Sequence, residues 1–109
     1  MPGGRSPAGG SDDEGGFRIR SVSFACATIR SGRVAAAKIA CDGAFPGWVR
    51  CTPVTPGFDV EILPERTYQQ GEIIVGLRIH RRIGAPRRLC LIRFDVGNAS
   101  AKASITVLH

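Results

Sequence analysis

The segment Gly71-Glu72-Ile73-Ile74-Val75-Gly76-Leu77-Arg78-Ile79-His80 constrains the fold more than any other part of the chain. Ile73, Val75, Leu77 and Ile79 share one parity, while Ile74, Gly76, Arg78 and His80 share the other. A two-residue repeat is that of a pleated strand, whose successive side chains point to opposite faces; a helix would scatter these residues around its axis. Leu89 to Val96 repeats the pattern, with Cys90, Ile92, Phe94 and Val96 on the apolar face. Val22, Phe24 and Cys26 alternate with Ser21, Ser23 and Ala25 in a first strand. In Val34 to Cys41 the inward set is Ala35, Ala37, Ile39 and Cys41. Three consecutive alanines also suit a helix, but Gly32 and Asp42-Gly43 bound the segment at strand length. Trp48 to Thr52, Phe58 to Leu63 (ended by Pro64) and Ala101 to Val107 bring the total to about seven strands. Gly97-Asn98 is a two-residue hairpin turn. The sequence therefore predicts an all-β chain folded as a single antiparallel sandwich of two sheets.

Length limits the chain to one domain, since 109 residues is near the usual size of a single folding unit. Residues 1–16 hold six of the 14 glycines and two of the seven prolines, and Met1 is their only large aliphatic side chain. Such a stretch buries too little apolar surface to offset the entropy of ordering it, so it reads as a disordered, glycine-rich tail or linker. The folding unit is then 17–109. No basic n-region with an apolar run follows Met1, and no run approaches the roughly 18 apolar residues of a bilayer span. Neither a signal peptide nor a membrane span is expected.

Charge is unevenly spread. The tail sets Arg5 against Asp12, Asp13 and Glu14, a sum of −2, so the total of +6 leaves +8 on the folding unit. Thirteen of the 15 basic residues are arginine, a skew that a GC-rich genome also produces. Arginine forks suit carboxylates and phosphates, so an anionic partner is favoured over a cationic one.

Four stretches resemble the divergent bacterial immunoglobulin-like and fibronectin type III-like sandwich modules. They are Gly43-Ala44-Phe45-Pro46-Gly47-Trp48-Val49, Phe58-Asp59-Val60-Glu61-Ile62-Leu63-Pro64, Gly71 to Ile79, and Ser100-Ala101-Lys102-Ala103-Ser104-Ile105-Thr106-Val107. The resemblance implies an immunoglobulin-like architecture and no particular chemistry. Antibody-type domains also join their second and sixth strands by a buried disulfide packed on a tryptophan, and Cys41, Trp48 and Cys90 fall in that order. The likeness thus makes Cys41–Cys90 the pairing to test. It stops at architecture, because the Cys41–Trp48 gap is short and Arg88 stands where a corner tyrosine belongs.

The residues alone leave the thiols open. Cys26, Cys41, Cys51 and Cys90 all fall in apparent strands, with no C-x-x-C spacing, so no zinc or redox site is expected. They suit either two disulfides or buried free thiols acting as small hydrophobes. No nucleophile elbow, phosphate-binding loop or dinucleotide fingerprint occurs. Glu61 and Glu65, four apart in a strand and turn, do not aim two carboxylates at one substrate. No catalysis, cofactor or metal is expected. Asn98-Ala99-Ser100 matches a glycosylation acceptor and equally a turn that ends in serine.

The hairpin from Arg78 to Arg93 carries Arg78, Arg81, Arg82, Arg87, Arg88 and Arg93, with His80 and no acidic residue. Arg81-Arg82 and Arg87-Arg88 flank Ile83-Gly84-Ala85-Pro86, so guanidinium groups crowd one tip. A bound anion relieves their repulsion, although charge runs also serve simply as solvated surface. No aromatic residue lies nearby in sequence to stack a base. The first expectation is a non-catalytic interaction or structural module that binds another protein or a surface polymer, as on a bacterial envelope, an adhesin or a phage particle. The alternative is a binder of anionic polymer (nucleic acid or acidic polysaccharide) acting through residues 78–93.

Overall fold

A computed structural model describes residues 16–69 and 71–109. Eight strands follow in chain order: β1 (Arg18–Phe24), β2 (Thr28–Arg30), β3 (Val34–Asp42), β4 (Arg50–Pro53), β5 (Phe58–Gln69), β6 (Glu72–Arg81), β7 (Leu89–Val96) and β8 (Ala99–Leu108). They form two four-stranded sheets, ordered β1-β3-β6-β5 and β2-β8-β7-β4. The chain is therefore an all-β, two-sheet sandwich. The expected tail falls, except for Gly16, outside the described residues.

The alternation read from β6 and β7 is realised side chain by side chain. Ile73, Val75, Leu77 and Ile79 are all buried, as are Cys90, Ile92, Phe94 and Val96 on the facing sheet. Ala35, Ala37, Ile39, Cys41, Phe58, Ile105 and Val107 complete the core, and no polar or charged side chain is buried among the described residues. Small residues of β3 have a packing reason. Ala37 stands directly opposite Phe24 of β1, whose ring meets Phe94 at 5.9 Å and 58°, a tilted contact across the two sheets.

Several details depart from the sequence expectations. The first strand starts at Arg18 and ends at Phe24, so Cys26 leaves the alternation and lies exposed in the bend that follows. Pro64 does not end its element. β5 continues to Gln69 after an irregularity between Ile62 and Arg66, where Leu63, Pro64 and Glu65 bulge out opposite Gly76. β5 is a sheet edge, so a residue without an N–H is tolerated there, and the bulge interrupts an otherwise long exposed edge. Leu63 is put to use in the bulge, since a Cβ on Gly76 would lie 3.2 Å from its methyl carbon. β2, three residues long, has no counterpart among the expected strands, and it pairs parallel to β8 through Thr28–Thr106 to Arg30–Leu108. β4 begins at Arg50 rather than Trp48.

Two glycines hold loops where no side chain fits. Gly43, at φ +95°, would bring a Cβ to within 2.5 Å of the Gly16 carbonyl oxygen. Gly57, at the same φ, would bring one to 2.8 Å from the Ala85 methyl, and its carbonyl accepts from the Arg82 N–H at 2.9 Å. The β4–β5 turn is thereby packed against the β6–β7 loop. At the other end of the sandwich, Phe45 stacks on Tyr68 at 5.2 Å, and Arg66 donates to the Gly47 carbonyl at 2.7 Å.

Candidate interaction surface

The six hairpin arginines do not converge. Arg78 points outward from β6, donates to the Gly32 carbonyl at 3.0 Å and lies 3.8 Å from the Glu61 carboxylate directly across on β5. Arg82 holds Asp59 with two hydrogen bonds, at 2.6 and 3.0 Å. Arg93 donates to Asp95 at 2.9 Å, two residues along β7. Arg81 turns inward and ties loops together: its backbone N–H donates to Ser31 Oγ at 2.7 Å, and its guanidinium reaches the carbonyls of Val107 and Ala85. Arg87 and Arg88 are exposed and meet no carboxylate among the described residues.

The cations group instead by sheet face. Arg20–Asp42, Lys38–Glu72, Arg78–Glu61 and Arg82–Asp59 form four ion pairs on and beside the outer face of the β1-β3-β6-β5 sheet. Pairs this exposed add little stability each, but together they offset most of the positive charge of that face, leaving Arg18 without a carboxylate partner among the described residues. The outer face of the β2-β8-β7-β4 sheet is different. Buried Ile92, Phe94, Ile105 and Val107 fix the alternation, so Arg93 of β7 and Lys102 of β8 point outward, side by side in register. Arg50 of β4 stands opposite Asp95, and Arg30 of β2 flanks the far edge. With Arg87 and Arg88 at the β7 end, six cations share this face with one side-chain carboxylate, that of Asp95, among the described residues, and Arg30 donates to the His109 carbonyl at 3.1 Å.

The same face carries apolar surface. Leu89 is 54% exposed and Val54 45% exposed. Thr55, Arg87, Arg88, Leu89, Leu91 and Ser104 line an open groove of about 500 Å³. Its shape is fixed by backbone pairing: Val54 donates to the Leu91 carbonyl at 2.7 Å, and the Leu91 N–H returns a bond to Thr55 Oγ at 2.9 Å. At the far end of β4, Trp48 is 41% exposed and lies beneath the Arg50 guanidinium at 5.4 Å. Residue spacing gave little sign of this face, because Arg50 comes from a strand about forty residues before the β7–β8 hairpin that sets Arg93 beside Lys102.

One pair on the opposite face gives a titration test. Asp59 is held below its ordinary value of 3.8, chiefly by the hydrogen bonds from Arg82; desolvation opposes them, and the nearby Arg82 and His80 charges add smaller downward contributions. A depressed carboxyl stabilises the fold above about pH 3.8, and that contribution fades as pH falls through the lower folded value. In Arg82→Ser, Asp59 should titrate back near 3.8 when its carboxyl carbon is followed by NMR. An unchanged midpoint would mean the pair does not persist in solution.

All four cysteines are free. Cys41 sits at the β3 end beside Gly71, where its N–H donates to the Gly71 carbonyl. Cys90 sits at the opposite end, paired with Ile105 near the Arg81–Val107 contact. The ten-residue β6 spans most of the distance between these ends, about 30 Å at 3.3 Å per residue. A disulfide tolerates a Cα separation of only about 7 Å, so the structure does not bring the two together. Trp48, half-exposed under Arg50, does not pack between them. Burial pushes the Cys90 thiol up to about 11; burial, with Asp95 adding, pushes Cys51 up to about 12. Burial raises Cys41 as well, against Arg20 and with Asp42. Raised thiols favour the fold below pH 9, the ordinary value, and that contribution is lost as pH rises toward 11–12 while the unfolded chain ionises first. In a native thiol titration at neutral pH, exposed Cys26 should react promptly and the others only on unfolding. Prompt reaction of all four would contradict the packed interior.

Among the described residues, no three His, Cys, Asp or Glu side chains gather as a metal site requires, and no helix is long and apolar enough to cross a membrane. No family model matches the chain, and no curated protein is significantly similar to it in sequence.

Proposed function

We propose that this protein is a non-catalytic interaction module of immunoglobulin-like architecture whose basic β2-β8-β7-β4 face docks an acidic partner. The single observation that carries this reading is the charge asymmetry between the faces. One outer face sets four of its cations against carboxylates and leaves Arg18 over, while the other presents Arg30, Arg50, Arg87, Arg88, Arg93 and Lys102 against one side-chain carboxylate, that of Asp95, among the described residues. Like charges on a sheet face repel, and a carboxylate- or phosphate-bearing partner relieves that repulsion. The architecture has independent support in strand order. The orders β1-β3-β6-β5 and β8-β7-β4 repeat those of the two sheets of a constant-type immunoglobulin sandwich, with β2 added at the edge.

The test is retention on an immobilised polyanion, such as polyglutamate, scanned across ionic strength. Retention should fall steeply with salt, because it rests on exposed charges. It should depend on Arg50, Arg93 and Lys102, and not on Lys38 or Arg78 of the opposite face. Absence of retention at low salt would overturn the reading.

A further inference from the structure

We infer that the groove at the start of β7 selects an extended acidic peptide segment with apolar residues at its centre, rather than anionic polymers at large. The inference rests on the basic-face reading and narrows its partner to a protein. Arg87, Leu89, Leu91 and Arg93 recur at every second residue. Alternation with buried Cys90 and Ile92 turns Leu89, Leu91 and Arg93 to the outer face, and exposed Arg87 lines the same groove. The order along the strand is cation, apolar, apolar, cation. An extended peptide has the same repeat, with alternate side chains on one side about 6.6 Å apart. A segment of the form acid-x-apolar-x-apolar-x-acid laid along β7 therefore matches both the charges and the apolar floor.

The apolar floor is what separates peptide from polymer. Leu89 is 54% exposed at the groove, and Leu91 lines it beside Ser104 of β8. A sulfated polysaccharide or a phosphodiester backbone gains nothing from leucine. A single-stranded nucleic acid binds through aromatic platforms, and Trp48, which carries the Arg50 guanidinium over its ring, stands at the far end of β4. Exposed leucine framed by arginine is instead the composition of a protein-docking patch, with the charges fixing register and the apolar centre excluding water.

The experiment measures fluorescence anisotropy with the labelled peptide Glu-Ser-Leu-Ser-Leu-Ser-Glu. It is compared with its counterpart bearing serine for both leucines, with a single-stranded oligonucleotide and with heparin. Retention on polyglutamate is followed in parallel. The leucine peptide should bind about tenfold or more tighter than its serine counterpart, since burying part of two leucines is worth at least that factor. Leu89→Ser should abolish this preference and leave polyglutamate retention intact; being half-exposed, position 89 tolerates the change. Arg87→Ser with Arg88→Ser should weaken both. If polyglutamate is retained but the two peptides bind equally, the groove inference fails and the basic-face reading survives. Tighter binding of the oligonucleotide or heparin than of the leucine peptide would overturn the inference in favour of a polymer. Absence of polyglutamate retention would overturn both readings.

Discussion

Replacing Phe94 by alanine is expected to remove about 3–5 kcal/mol of stability, the usual cost of deleting a large aromatic ring from a packed interior. Phe94 is fully buried and is the largest of the fully buried side chains. It sits on β7, stands opposite both Cys51 and Ala101, and meets the Phe24 ring of the other sheet at 5.9 Å. Its loss therefore opens a void on the plane where the sheets meet, and the ladders on either side keep the backbone from closing it. A domain of this size typically has only about 5–15 kcal/mol in total. The melting temperature followed by circular dichroism should fall by about 15–30 °C. Phe94→Leu, which keeps most of the volume, should lose much less. A Phe94→Ala protein that melts within a few degrees of the parent would show that the two sheets do not share this interior.

The second large effect concerns binding. Neutralising Arg50, Arg93 and Lys102 to Gln should weaken polyglutamate binding at low salt by about 100-fold, at about 1 kcal/mol for each exposed cation neutralised. All three side chains are exposed on the outer face, so the melting temperature should barely move. Lys38→Gln with Arg78→Gln, on the opposite face, removes a comparable charge but leaves Glu72 and Glu61 unpaired. Those changes should weaken binding only slightly. Equal losses per charge removed from both sets would mean that net charge alone governs retention and that neither face is a site.

Sequence carries the core of this fold and little of its surface. Ile73 to Ile79 and Cys90 to Val96 are legible because alternation is local: each residue's parity is fixed by its neighbour. The Gly97-Asn98 turn is legible for the same reason, and Val96 indeed faces Ala99 across it. Features that depend on a partner strand are not. The bulge that carries β5 past Pro64 is allowed only because that strand lies at an edge, which no local pattern reveals. β2 owes its three residues to a parallel pairing with β8, nearly eighty residues downstream.

The surface repeats that lesson with charges. Arg78 and Arg82 read as part of a basic hairpin because the carboxylates opposite them, Glu61 and Asp59, belong to another strand. Arg81 reads as an exposed cation, yet the end of β6 turns it inward, where it donates to the carbonyls of Val107 and Ala85. Conversely, Arg50 lies far from the hairpin in sequence and is brought near Arg93 only by the pairing of β4 with β7, whereas Lys102 follows from the register that the Gly97-Asn98 turn sets. Of the hairpin arginines, only Arg87 and Arg88 stay exposed with neither a carboxylate nor a carbonyl partner among the described residues, at the rim of a groove lined by Leu89 and Leu91.

The most direct measurement is a backbone amide chemical-shift map of the folded protein titrated with short polyglutamate at low salt. Docking on the basic face predicts that shifts concentrate at Arg50 to Val54, Leu89 to Asp95 and Ser100 to Thr106, and vanish as salt is raised. Shifts centred instead on β3 and β6, or confined to Ile83 to Pro86, would contradict the account.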